Sequence, residues 1–249
     1  PEPQHLAADV PALAAGHSVY DAGADLSGTV HPVFSGLYIH DPGVQELVGR
    51  TVRDQINQPT LGESILNVQK TELPGVLVIE PQVFGDNRGF FFESYTKSKF
   101  SEIGLDMEFI QDNHSLSVPK YTVRGIHFQK DPTAQGKLVR CIRGRILDYA
   151  IDLRKGSETY LKWVAVELSA DNKRELFIPR GFGHVFVTLE ENCEVNYKVD
   201  NIYSKENERS IRYDDPQIGL VWPEGMVPVL SEKDKNAPLL RDCDCDFTI

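Results

Sequence analysis

From Val68 onward the chain alternates between short apolar runs and clusters of Gly, Asp, Asn or Pro. The runs are Phe109–Asn113, Leu138–Ile142, Ile146–Leu153, Trp163–Leu168, Glu175–Ile178, His184–Leu189 and Cys193–Val199. Apolar stretches of this length, closed by turn formers, are the signature of strands. Helical periodicity is scarce between them, so the pattern predicts an all-β sandwich or barrel. Leu73–Pro81 adds another short apolar run. Phe84–Tyr95 adds a turn, from Gly85 to Gly89, leading into an aromatic strand. Residues 96–104 predict a short polar helix.

Residues 1–66 have a different texture. Apart from histidines, their basic side chains are Arg50 and Arg53, while acids are common. Pro1 to Gly28 is rich in Ala, Asp and Gly without a clean period, which predicts an arm, poorly ordered or lying along the surface. His31–Ile39 is more apolar and predicts a segment docked on the core. Val44, Leu47, Val48, Val52 and Ile56 form one face of an amphipathic helix, which starts after Asp41-Pro42-Gly43 and ends before Pro59. The expected organisation is an N-terminal extension over 1–66, an arm plus a short helix, followed by a β domain over 67–249.

Composition narrows the function classes. A chain of 249 residues can bury a full core in one domain of roughly 150–200 residues, with a remainder. No window approaches the roughly 18 apolar residues of a membrane span, and the N-terminus lacks a secretory pattern. A cytoplasmic protein with no membrane contact is expected. The four cysteines lack zinc spacing and read as reduced thiols. A net charge of −11 argues against nucleic acid as a partner. It leaves room for an anionic small molecule held by a local cluster of Arg and Lys.

The stretch Tyr121-Thr-Val-Arg-Gly-Ile-His-Phe-Gln129 holds the first candidate chemistry, with Arg124 and Lys137 near His127 in sequence. A His-x-His metal pair is missing, because Phe128 and Gln129 follow His127. Ile178–His184 supplies a Pro-x-Gly turn before a strand histidine, but one histidine cannot hold a metal alone. No metal is expected. Histidine suits proton transfer near neutrality. Such a base needs a carboxylate to orient it and an acid on the far side of the substrate. Spacing alone cannot choose these partners among 37 acids and 9 tyrosines. It also leaves open whether His127 is a base or a structural histidine.

Longer motifs carry a resemblance. They are Phe84–Ser94, Gln111–Ser115, Val123–Gln129, Ala134–Arg140, Leu168–Arg174, Ile178–Leu189, Ile218–Pro223 and Leu230–Asp234. In this order they resemble the dTDP-4-dehydrorhamnose 3,5-epimerase family, sugar-nucleotide epimerases of the cupin class, over residues 68–242. The resemblance implies an all-β, cupin-type jelly-roll barrel with a few short helices. It implies a cofactor-independent isomerase acting on a dTDP-4-keto-6-deoxyhexose in rhamnose synthesis. Carried over by position, the base falls on His127, its carboxylate partner on Asp234, the acid on Tyr197 and a substrate contact on Lys137, a nearby cation of the kind that would stabilise an enolate. Substrate contacts fall on Arg88, Glu93, Gln111, Asn113, Arg124, His184, Glu208 and Lys233. Tyr203 suits packing on thymine or sugar.

The family's homodimers, in which one subunit's N-terminal strand completes the other's site, imply that Arg88 and Glu93 act in trans. The extension of residues 1–66 has no counterpart in the family core. Val185 stands where the family commonly has Gly, and Asn196 where an apolar residue is usual. Both are expected to reshape the pocket, which would favour a different 4-keto sugar or inversion at one carbon only. A single-site epimerase and a catalytically idle nucleotide-sugar-binding cupin are the competing expectations.

Overall fold

The computed structural model describes residues 66–249 and the backbone of a two-residue strand at Tyr38–Ile39. The expected arm and the expected helix over Val44–Ile56 lie outside the described residues. The strands are β1 (Tyr38–Ile39), β2 (Leu66–Lys70), β3 (Leu77–Pro81), β4 (Phe84–Asp86), β5 (Gly89–Phe91), β6 (Gln111–Ser117) and β7 (Val123–Gln129). They continue with β8 (Lys137–Arg143), β9 (Arg145–Asp152), β10 (Trp163–Ser169), β11 (Glu175–Ile178), β12 (Phe182–Thr188), β13 (Cys193–Val199) and β14 (Glu208–Ser210). Two short helices, α1 (Lys97–Glu102) and α2 (Glu232–Lys235), accompany them.

Two six-stranded antiparallel sheets form, in the orders β1-β10-β9-β12-β7-β14 and β2-β3-β11-β8-β13-β6, with β4–β5 as a separate hairpin. This is the expected cupin-type jelly roll. Of the segment expected to dock, Tyr38 and Ile39 are described, and their backbone pairs as β1 with Ala165 and Val164 of β10. The short polar helix expected at 96–104 is α1.

The central strands β9 to β12 read as nearly continuous apolar runs because both of their faces are covered. Along β9, Ile146 and Ala150 pack between the sheets, while Leu147, Tyr149 and Ile151 face outward. Ile211, Ile218, Leu240, Cys245 and Phe247 from the C-terminal quarter cover that outer face. The other sheet's outer face carries Leu138 and Phe177, packed under Phe100 of α1 and Leu105. Burying one such phenylalanine stabilises by roughly 1.5–3 kcal/mol, so Phe100 explains why a six-residue helix stays docked. β6 starts at Gln111 rather than Phe109 because the Phe109 ring joins this outer layer, edge-on to Tyr95.

One irregularity positions the site. His184 of β12 lies opposite His127, and Phe186 lies opposite Arg124, so three steps on β7 match two on β12. The extra residue is a bulge at Gly125–Ile126. Gly125 has φ +131°, and a Cβ there would lie 2.5 Å from the His184 carbonyl oxygen. In a regular strand, residues three apart point to opposite faces. The bulge turns Arg124 and His127 to the same side, while Val123, Ile126 and Phe128 stay in the outer cluster.

Candidate active site

A cavity of about 850 Å³ opens between the sheets. Strands β7 and β12 bring Arg124, His127 and His184 to it. The facing sheet brings Gln111 and Asn113 on β6, Lys137 on β8 and Tyr197 on β13. Tyr203, Glu208, Lys233 and Asp234 close its rim from the later segments. Eleven of the thirteen residues expected at a site are thus gathered here.

His127 Nε2 lies 2.6 Å from Asp234 Oδ1. With the carboxylate ionised, Nε2–H donates and Nδ1 is left unprotonated, available as a base. Asp234 is buried and sits in α2, whose N-cap is Ser231. The Ser231 hydroxyl donates to Asp234 Oδ2 at 2.8 Å and accepts from the Asp234 backbone N–H at 3.1 Å. Burial acts to raise the Asp234 carboxyl, but the bonds from His127 and Ser231 outweigh it and hold it below its ordinary range. The Asp234 carboxylate is therefore ionised at neutral pH and holds the His127 ring in place.

The cavity floor holds a second pair. His184 Nε2 lies 2.6 Å from Asp148 Oδ1, and both residues are buried. Burial pulls the His184 imidazole below its usual value against the pull of Asp148, so it stays neutral and donates Nε2–H. Lys137 is buried as well, and its ammonium reaches the His127 carbonyl oxygen at 3.4 Å. Burial lowers it to about 8, against the attraction of Asp148 and Glu208. Near pH 7 it remains a cation, poorly solvated and close to His127.

Tyr197 enters from the wall opposite His127. Burial raises its phenol above the ordinary value, with Arg124 opposing and Glu208 adding. It keeps its proton at neutral pH and is suited to act as an acid. Arg124 is steadied by bonds to Ser117 Oγ at 3.0 Å and the Leu116 carbonyl at 2.9 Å. At the rim, Lys233 pairs with Glu208 at 2.6 Å and Tyr203 donates to Glu208 at 3.2 Å. Burial would raise the Glu208 carboxyl, but the bond and charge of Lys233 win and hold it low. Gln111 donates its side-chain N–H to Asn113 Oδ1 at 2.8 Å, which fixes both amides on β6.

Arg88 and Glu93 are not brought to this cavity. Arg88 is almost fully exposed on the β4–β5 turn and pairs with Asp86, while Glu93 pairs with Lys99. Val185 and Asn196 do not line the cavity either, contrary to expectation. With His184 and Tyr197 pointing inward, their chain neighbours point out, and Val185 lies in the outer cluster. Asp148 and Ser231 are the residues that sequence reasoning missed. Asp148 was signalled by an acid at an inward position between Ile146 and Ala150; Ser231 was signalled by its place three residues before Asp234. Among the described residues, no group of three His, Cys, Asp or Glu is arranged to hold a metal ion.

Comparison with known proteins places this geometry. A family model described as dTDP-4-dehydrorhamnose 3,5-epimerase matches residues 70–242. The chain is 55% identical over 174 residues to the dTDP-4-dehydrorhamnose 3,5-epimerase of Salmonella typhimurium, covering 70% of this chain and 94% of that one. It is similar to the crystal structure of dTDP-4-dehydrorhamnose 3,5-epimerase from Bacillus anthracis with TDP and PPi bound. That match has a TM-score of 0.69 and 43% identity, over 70% of this chain and 99% of that one. A dTDP-6-deoxy-D-glucose-3,5-epimerase from Legionella pneumophila, in complex with dTDP-4-keto-L-rhamnose, matches with a TM-score of 0.68 and 42% identity, over 71% and 93%.

Proposed function

The chain belongs to the dTDP-4-dehydrorhamnose 3,5-epimerase family, and on that premise we propose how its own residues carry the reaction. The enzyme is an isomerase that inverts C3 and C5 of dTDP-4-dehydro-6-deoxy-glucose to give dTDP-4-dehydro-rhamnose. The substrate ketone at C4 acidifies the C–H bonds on either side of it. His127, oriented by Asp234, removes one of these protons through Nδ1. The enolate charge gathers on the carbonyl oxygen, where the Lys137 ammonium stabilises it in a poorly solvated setting. Tyr197 returns a proton from the other wall and inverts the centre. Between the two inversions His127 gives its proton to solvent and Tyr197 regains one, which resets both for the second carbon. The ketone, these side chains and water then supply every proton and charge, so no cofactor enters.

The observation that supports this reading best is the placement of base and acid on facing sheets. His127 is on β7, Tyr197 is on β13, and both line one cavity. Arg124 and Lys233 suit the diphosphate, Arg through paired N–H donors and Lys as a point charge. Tyr203 offers a ring to thymine or sugar. Gln111, Asn113, His184 and Glu208 supply the remaining polar contacts.

The working unit we assign is a homodimer of the 67–249 domain, in the cytoplasm. The β4–β5 hairpin exposes Phe84, Phe90 and Phe91 by more than half, an apolar surface that a second copy would cover. Such a dimer would carry Arg88 and Glu93 into the partner's cavity. All four cysteines are free, which suits a reducing compartment. No helix among the described residues is long and apolar enough to cross a membrane.

Solvent deuterium tests the reaction. In D₂O the sugar should gain label at both C3 and C5, and His127→Ala should abolish it. Label at one carbon would make this a single-site epimerase, and label at neither would leave a binding protein.

A further inference from the structure

We propose that Ser231 is a positioning residue of this site, holding Asp234 so that one carboxylate oxygen is committed to His127. The proposal rests on His127 being the base and adds a third member to its chain of hydrogen bonds. Asp234 has two oxygens to satisfy inside the protein. Oδ1 lies 2.6 Å from His127 Nε2, and Oδ2 takes the Ser231 hydroxyl at 2.8 Å. The same Ser231 oxygen accepts the Asp234 backbone N–H at 3.1 Å. One hydroxyl therefore grips Asp234 at both backbone and side chain, which leaves the carboxylate little freedom to rotate about its χ angles. Ser231, like Asp234, lines the cavity.

A helix cap alone does not require the bond to Oδ2, because capping uses the serine oxygen as an acceptor. The donated proton is the informative part. A hydroxyl that donates to a carboxylate disperses its negative charge and weakens its hold on any other proton. Without that bond the whole charge of Asp234 bears on His127, and the imidazolium becomes harder to deprotonate. The carboxylate is also free to swing, so the base is held less well for proton abstraction.

The other groups facing His127 stay the same across Ser231 variants. They are Lys233 beside Asp234, Glu208 on β14, His184 on β12 and Lys137 on β8. A change in His127 titration between wild type and variant therefore reports on Ser231.

The experiment follows the His127 imidazole by NMR across a pH series in the whole chain, for wild type, Ser231→Ala, Ser231→Gly and Ser231→Thr. Glycine is an acceptable N-cap that lacks the hydroxyl, and threonine keeps the hydroxyl. The titration midpoint should rise by roughly 0.5–1 pH unit in the Ala and Gly variants and stay at the wild-type value in Thr. In turnover, kcat should fall roughly tenfold to a hundredfold with KM little changed, and the acidic limb of kcat/KM should move with the NMR midpoint. A midpoint that does not move in Ala or Gly, with only the melting temperature lowered, overturns the proposal and leaves Ser231 a cap. The NMR titration needs no turnover. A failed epimerase reading would show instead as wild-type protein that incorporates no label.

Discussion

Replacing Lys137 by methionine should make the protein more stable and nearly inactive. Lys137 is buried, and burial lowers its ammonium from 10.5 to about 8. A folded pKa below the unfolded one means that folding disfavours the charged form. That drop corresponds to about 3 kcal/mol of destabilisation, fully present below about pH 8. Between about pH 8 and 10 the unfolded chain binds more protons than the folded one, so the penalty fades as pH rises. Methionine keeps an unbranched stem of similar length and carries no charge. It gives up the Lys137 bond to the His127 carbonyl, which at 3.4 Å is long and weak.

Lys137→Met should therefore resist urea better at pH 7 by roughly 1–3 kcal/mol, with the advantage closing as the pH approaches 10. On the proposed role of Lys137 as the cation that stabilises the enolate, the activity loss should be on the order of 10²–10³ in kcat. Urea melts at pH 7, 8, 9 and 10, read by circular dichroism on both proteins, give the difference directly. Other groups that titrate at high pH cancel between them. A variant that is less stable than wild type at pH 7, or a gap that does not narrow with pH, would refute the burial argument for Lys137.

Wild-type kcat/KM should decline above about pH 8 as free Lys137 loses its proton, and a profile flat to pH 9.5 would contradict this. Tyr197→Phe should keep most of the deuterium wash-in while inversion falls on the order of 10²-fold; equal losses in both would point to a structural tyrosine. Gly125→Ala places a Cβ 2.5 Å from a backbone oxygen at φ +131°, so a loss of several kcal/mol in urea melts is expected. A loss under about 1 kcal/mol would mean the bulge tolerates a side chain. Mixed dimers of Arg88→Ala and His127→Ala subunits should regain activity if Arg88 serves the partner's cavity, and no recovery on mixing would place Arg88 outside the reaction.

The strands were legible wherever both faces of a sheet are buried, because apolar residues then run unbroken. Glu175–Ile178 and Cys193–Val199 coincide with the strands observed. β6 was harder. Its residues Gln-Asp-Asn-His-Ser-Leu-Ser are mostly polar and exposed, so the strand exists through its ladder to β13, from Gln111–Val199 to Ser117–Cys193. Val185 and Asn196, singled out as departures from the family's residue types, were expected to shape the cavity and do not line it. In a strand, the adjacent residue is the one that points away.

By itself, the order of apolar runs and turn formers determined an all-β sandwich or barrel, since hydrophobic burial and turn chemistry act locally. The family resemblance then chose His127, Asp234 and Tyr197 from many acids and tyrosines. What only the tertiary structure decided is which side chains meet. Arg124 and His127 share a face because β7 carries one extra residue against β12. His127 finds Asp234, 107 positions away, because the C-terminal segment folds back onto the sheet that carries β7. Asp148 becomes a partner of His184 because two antiparallel strands hold both at inward positions. Such pairings are set by register and by where long connections return, and neither is written in any short stretch of sequence.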